Sequence, residues 1–291
     1  MRYARRNRFS IGNVFRYSLL AALAFTSVST IRAAGQQSPP SHATIELIGD
    51  RPSVQSPRLD AGLLFHLDPG WHIYWQNAGD SGEPPKVEWH LPPGFRAGAI
   101  EWPAPKRIGS GSIIDYGYEY QVLLIVPITS PTAVASLTAP VQFVADVKYI
   151  VCREICIPGK QHLFLVLSDT DAALAKQWHD LFAQARAQLP KPAPPQWKIS
   201  ASSEGGNFIL NIAGAAPPKS ATFFPEDPSI IENSSPQSLA SDAHGFHLTL
   251  KRSEQLSVQP IRLRGVLVTE GNNAYQIVVP FNARSSPEKQ K

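Results

Sequence analysis

The chain has 291 residues, with 27 Lys and Arg against 23 Asp and Glu, for a formal net charge of +4. Six of the arginines and none of the acids fall within residues 1–34, so the rest of the chain carries 21 basic and 23 acidic residues. A nearly neutral body lacks the basic face that nucleic-acid binding requires, which excludes nucleic acid as a partner.

At the amino terminus, Arg2, Arg5, Arg6, Arg8 and Arg16 precede the apolar run Tyr17–Val28 and then a stretch of small residues. This is the pattern of a secretory signal peptide over residues 1–34, with cleavage after Ser29, Ala33 or Ala34. The apolar run is about 12 residues, short of the roughly 20 that span a bilayer, and no later segment approaches that length. The expectation is an exported protein with no stable membrane insertion after cleavage.

Beyond the signal, short apolar stretches are broken by Pro, Gly, Asn and Ser, which reads as all-β. Eight strands are predicted at Ala43–Ile48, Leu59–Leu67, His72–Trp75, Lys86–His90, Ile100–Trp102, Gln121–Ile128, Val141–Val151 and His162–Leu167, enough for one sandwich over residues 42–168. From Asp169 the pattern changes. Leu174, Trp178, Leu181, Phe182 and Ala185 recur at helical spacing, predicting an amphipathic helix of about 17 residues. Pro190, Pro192, Pro194 and Pro195 end it in a stiff, extended linker, so 169–195 reads as helix and linker. Strands at Trp197–Ser200, Asn207–Ile212, Thr222–Phe224, Gly245–Leu250, Ile261–Val268 and Ala274–Pro280 predict a second, smaller β-domain over 196–283. Residues 284–291 are polar and read as a disordered tail.

The chemistry-bearing feature is VKYIVCREICIPGKQ, which holds the only two cysteines, Cys152 and Cys156. Residues four apart in an extended or hairpin segment share a face, and a modest bend brings their Cα atoms below the roughly 7 Å that a disulfide needs. One thiolate can then attack and the other resolve, which is thiol–disulfide exchange. A permanent staple is the blander alternative, the usual fate of two cysteines in an exported protein. Closing so short a loop removes little chain entropy, the gain reaching roughly 3 kcal/mol only at about 15 residues. A soft-metal site is the third reading, but no second CxxC or His-x-x-x-His lies nearby, and His162, the nearest histidine, reads as a strand surface residue. Lys148, Arg153 and Lys160 flank the pair and could favour a thiolate, with Glu154 opposing them. No GxSxG, HExxH or paired-carboxylate motif occurs to support a hydrolase, and Asp80–Glu83 (DSGE) reads as a turn.

In order and spacing, GWHIYWQNAGDSGEPPKVEWHLPPGF, EWPAPKRI, DYGYEYQVLLIVPI and VKYIVCREICIPGKQ resemble the amino-terminal periplasmic domain of the thiol:disulfide interchange protein DsbD. The likeness is nearest to the ScsB-like branch, in which a second β-domain follows, and it covers roughly Ala43–Ser168. The resemblance implies an immunoglobulin-like sandwich in the periplasm whose cysteine pair cycles between dithiol and disulfide without a cofactor. Electrons would come from a membrane-embedded thiol reductase and pass to oxidised periplasmic proteins. By position, Cys156 matches the cysteine before the Ile-Pro step and Cys152 its upstream mate. Asp115, Tyr116, Gly117 and Tyr118 align with the family's short loop that shields the cysteines, so Tyr116 and Tyr118 are candidate cap residues, with ordinary packing as the alternative. Asp115 and Glu119 are candidate proton acceptors for a departing thiol, or else part of a solvated turn. Trp71 and Tyr74 read as packing beside the site, and His72 as structural. The family's membrane and thioredoxin-like domains do not occur in these 291 residues, so a separate electron donor is expected. The competing function is a non-enzymatic binding module, for a protein partner or copper, with a structural disulfide.

Overall fold

In chain order the first half forms β1 (Ala43–Asp50), β2 (Arg58–Leu67), β3 (His72–Gly79), β4 (Lys86–His90), β5 (Arg96–Ala97), β6 (Lys106–Ile108), β7 (Asp115–Glu119), β8 (Gln121–Thr129), β9 (Val141–Cys152) and β10 (Cys156–Leu167). This computed structural model describes residues 41–50, 58–109, 111–131, 141–167 and 172–281. The predicted signal, the tail and the start of the predicted helix lie outside the described residues.

The strands make two facing sheets, ordered β1-β2-β8-β5 and β10-β9-β3-β7-β6, with β4 paired to β9. Alternation decides which side chains meet. On β9, Phe143, Ala145, Val147, Tyr149 and Val151 enter the core between the sheets, joined by Ile73 and Trp75 from β3 and by Leu63, Phe65, Leu124 and Val126 from the facing sheet. The intervening residues of β9 and β10 point outward.

Strands β2 and β8 read as almost continuous apolar runs because both of their faces are covered. Their outer face carries helix α1 (Ala172–Ala187), whose Phe182 and Ala185 are buried against Ile48, Leu64, Leu123 and Ile125. Behind the helix, the buried carboxylates of Asp50 and Asp60 accept hydrogen bonds from the Arg186 guanidinium at 2.7 and 2.6 Å. The predicted strand at Ile100–Trp102 reduces to one bridge, Glu101 to Ile125, and the strand expected from His162 begins at Cys156.

The remainder contributes β11 (Lys191–Pro192), β12 (Lys198–Glu204), β13 (Asn207–Ala213), β14 (Ala221–Pro225), β15 (Ser238–Asp242), β16 (Gly245–Lys251), β17 (Arg262–Thr269) and β18 (Asn273–Pro280). They form a second sandwich from sheets β11-β18-β17-β14 and β12-β13-β16-β15 around Phe208, Leu210, Phe223, Leu248, Leu250, Leu267 and Ile277. The proline-rich stretch read as a linker starts with a short edge strand, since Lys191 and Pro192 pair in parallel with Tyr275 and Gln276. An edge tolerates proline, which has no N–H to donate. The described residues fall in one compact unit. Phe224, Val266 and Ala274 of the second sandwich join the core of the first, with Phe224 edge-on to Tyr116 at 5.1 Å between ring centres.

Candidate functional site

Strands β9 and β10 form a hairpin closed by Arg153, Glu154 and Ile155, with Cys152 and Cys156 directly opposite each other in register. The Arg153 N–H donates to the Ile155 carbonyl at 3.1 Å, tightening the turn. The facing positions hold the two Cα atoms 4.2 Å apart, and the sulfurs are bonded at 2.03 Å. Because Val151 faces the core, the disulfide lies on the outer face of its sheet. The two sulfurs are not equivalent to an approaching partner. Cys152 is only 2% exposed, whereas Cys156 is an exposed residue at the start of an edge strand.

Beside the hairpin, the outward-facing residues of β3 and β7 carry a chain of polar groups. The Tyr74 side chain is fully buried, and its hydroxyl lies 3.6 Å from Cys156 Sγ and 3.2 Å from Ser81 Oγ. Ser81 gives both its backbone N–H and its hydroxyl proton to the buried Asp115 carboxylate, at 3.0 and 2.9 Å. His72 Nε2 stands 3.3 Å from the other carboxylate oxygen, and His72 is opposite Cys152 in register. Ser81 has one hydroxyl proton, committed to Asp115, so it accepts from Tyr74 while the disulfide is closed. Burial raises the Tyr74 pKa, the nearby Asp115 charge adds to this, and the Ser81 contact opposes it. Tyr74 therefore stays a proton-bearing donor at neutral pH, free to turn its O–H onto a thiolate at Cys156. Gly82 makes the packing possible: at φ +67° it lies so close to the Tyr74 ring that a Cβ would sit 2.1 Å from Cζ.

Several expectations are corrected by this arrangement. Asp115–Tyr118 is part of strand β7, paired with β3 and β6, and is not a loop. Tyr116 and Tyr118 point into the core, 0% and 6% exposed, their hydroxyls donating to Asn233 Oδ1 and the Pro103 carbonyl. On the sheet face opposite the disulfide, they are not placed to cap it. Gly117, in the step aligned with the shielding loop, is a packing glycine whose Cβ would lie 2.0 Å from the Ile73 carbonyl oxygen. Asp115 joins the polar chain behind Cys156, while Glu119 sits opposite His72 in register, half-buried.

The basic residues are also spent elsewhere. Lys148 and Lys160 pair with each other four residues along their strands from the cysteines, about 13 Å at strand rise and beyond the roughly 8 Å screening length at physiological salt. Lys160 lies 3.9 Å from Asp146, and the Arg153 guanidinium sits over the Trp71 ring, itself stacked on His42. His162 and His90 hold Asp146 between them on the exposed surface and lower its pKa. Among the described residues no group of three His, Cys, Asp or Glu is arranged to hold a metal.

Tyr74, His72 and Ser81 contribute polar groups to the site, where the sequence reads Tyr74 as packing, His72 as structural and Ser81 as part of a turn. The available signal was period two on β3, which puts positions 72 and 74 on the face opposite core residues Ile73 and Trp75.

Residues 50–168 match the family model for the N-terminal domain of thiol:disulfide interchange protein DsbD. The crystal structure of the N-terminal periplasmic domain of ScsB from Proteus mirabilis superposes with a TM-score of 0.64, at 17% identity, covering 84% of this chain and 96% of that one. That share is larger than either sandwich alone, so the likeness in fold takes in both. The GAE domain of yeast GGA1 covers 45% of this chain and 95% of that one at 11% identity and a TM-score of 0.27, too low to support a fold assignment. No curated protein sequence matches the chain.

Proposed function

We propose, from the match of residues 50–168 to the family model of the DsbD amino-terminal domain, that this chain is a periplasmic thiol:disulfide exchange module that relays electrons from a membrane-embedded thiol reductase to oxidised periplasmic proteins. The observation that carries the reading is the asymmetry of the pair, with Cys156 exposed and beside the Tyr74 hydroxyl, and Cys152 buried.

Loading begins when a thiolate of the reduced donor attacks Cys156 Sγ. The Cys152–Cys156 bond breaks, Cys152 leaves as a thiolate, and a mixed disulfide joins the donor to Cys156. The donor's second thiolate then attacks its own sulfur in that bond, expelling Cys156 as a thiolate. Two electrons have moved, and the donor is left as a disulfide. Tyr74 turns its O–H from Ser81 to the new Cys156 thiolate. In delivery, Cys156 attacks the disulfide of an oxidised protein, Cys152 resolves the mixed disulfide by attacking Cys156 Sγ, and the target leaves reduced. The sulfurs carry all the electrons, and no cofactor enters. The amino-terminal leader, Arg2 to Ala34, supplies the export this location requires.

The test is the redox midpoint of the pair, set in graded thiol buffers and read by alkylation mass shifts. A value between about −180 and −270 mV, the range of working exchange proteins, is expected; a pair that stays oxidised below about −300 mV overturns the relay and leaves a stapled binding module.

A further inference from the structure

The second sandwich touches the first next to the groups behind Cys156. Asn233, 8% exposed, lies in the segment between β14 and β15 and makes three hydrogen bonds to the first sandwich. Its Nδ2 donates to Asp80 Oδ1 at 2.8 Å, its Oδ1 accepts from the Tyr116 hydroxyl at 2.8 Å, and its carbonyl accepts from Arg107 at 2.5 Å. The other Asp80 oxygen accepts the Ile114 N–H at 2.8 Å, and the Asp80 N–H donates to the Ile114 carbonyl at 3.0 Å. Asp80 and Ile114 directly precede Ser81 and Asp115. One step away, Asn77 Nδ2 donates to the Pro225 carbonyl at 2.8 Å while its Oδ1 receives the Gly79 N–H. The turn from β3 towards Ser81 and the start of β7 are thus both pinned to the second sandwich.

We infer that the second sandwich is the rear support of the redox site, with Asn233 a positioning residue that acts through Asp80 on Ser81, Asp115 and Tyr74. This rests on the exchange reading above. Without Asn233 the Asp80 carboxylate keeps only the Ile114 N–H, the turn carrying Ser81 and Gly82 loosens, and the Tyr74 ring packed against Gly82 drifts from its place beside Cys156. The geometry allows a swap. In the double variant Asp80→Asn, Asn233→Asp, the new amide at 80 can accept from Ile114 and donate to the new carboxylate at 233, which still accepts from Tyr116. Asn233→Asp alone sets two carboxylates face to face where a 2.8 Å hydrogen bond stood.

The experiment reduces the full mature chain with a phosphine and follows iodoacetamide alkylation of Cys156 against pH. The titratable and charged groups around the site are His72, Tyr74, Asp80, Arg107, Asp115, Tyr116, Glu119, Arg153 and Glu154; of these only Asp80 is altered, and only in the swap. Asn233→Asp is expected to slow alkylation at neutral pH about tenfold, with the profile displaced towards higher pH, and the swap to return it to within about twofold of wild type. Asn233→Ser, which removes the donor without adding charge, shifts the profile the same way by less. Ile277→Val, which thins the second core away from these contacts, lowers the melting temperature and leaves the profile in place. An unchanged or downward-shifted profile in both Asn233 variants, or a swap no better than Asn233→Asp, overturns the assignment. Because the chain is reduced beforehand, this outcome is separate from the midpoint: a pair that resists mild thiols defeats the relay without deciding the role of Asn233.

Discussion

Replacing Tyr74 with phenylalanine in a Cys152→Ala background isolates one interaction, the hydroxyl 3.6 Å from Cys156 Sγ. A hydrogen bond to a charged acceptor is worth about 1.5–3 kcal/mol, and a long O–H···S contact belongs at the low end. Water does not substitute readily for the lost donor, because the Tyr74 side chain is fully buried. Ser81 is left satisfied, since its proton already goes to Asp115, and the phenyl ring keeps the packing against Gly82. The loss therefore falls on the thiolate alone: about 1.4 kcal/mol less stabilisation is a tenfold smaller thiolate fraction at any pH below the midpoint. Iodoacetamide alkylation of the single thiol is expected to slow about tenfold at neutral pH, with the midpoint displaced upward. A rate within about twofold of the Tyr74 parent, with the fold intact by circular dichroism, refutes the assignment of Tyr74 as the thiolate's donor.

The exposure difference predicts which cysteine captures partners: Cys152→Ala, which keeps the exposed Cys156, accumulates mixed disulfides in a periplasmic extract, while Cys156→Ala, which keeps a sulfur at 2% exposure, does not. Equal trapping by the two variants refutes the geometry. Gly82→Ala meets both a positive φ and the Tyr74 ring at 2.1 Å; a loss of at least about 1–3 kcal/mol from the backbone alone is expected in denaturant titrations, and an unshifted unfolding midpoint contradicts it. Burial raises the pKa values of Tyr74, Tyr116 and Tyr118 above the usual 10.0. A folded state that favours the neutral phenol has this stability in full below about pH 10 and loses it as the pH climbs beyond. Ionisation absorbance of these tyrosines should rise together with loss of near-ultraviolet dichroism; reversible titration near pH 10 with the fold retained would refute it.

The closeness of the two cysteines was legible because local rules govern it, although the second strand of their hairpin starts at Cys156 and not at His162 as expected. Two cysteines four apart between strand-forming runs leave a hairpin little choice of register, and period two then sends Val151 inward and Cys152 outward. Helix α1 announced itself through Trp178, Leu181, Phe182 and Ala185, and Phe182 and Ala185 are buried where that spacing puts them. The shielding loop was misplaced because Asp115–Tyr118 was assigned by its alignment with the family's loop, which says nothing of the strands that pair with it here. Gly117 is small instead because β3 and β7 approach too closely for a Cβ, a fact about a strand more than 40 residues away in sequence, as the Tyr74–Gly117 pairing shows.

The polar chain behind Cys156 was hidden for a related reason. DSGE has the composition of a solvated turn, and Ser81 becomes a donor to Asp115 only when that turn is held against β7, 34 residues later. What holds it lies farther still, since Asn233 reaches Asp80 across 153 residues. Hydrophobic periodicity carries no trace of such a contact, because one amide and one carboxylate at isolated positions repeat nothing. Burial supplies the missing criterion. Asn77, Asp115 and Asn233 are each under 9% exposed with their polar atoms paired, and leaving such a group unpaired costs about 1–3 kcal/mol. A fold keeps buried polar side chains at that risk only where their partners are fixed, and here the pairs that fix the turn before Ser81 are the same ones that join the two sandwiches.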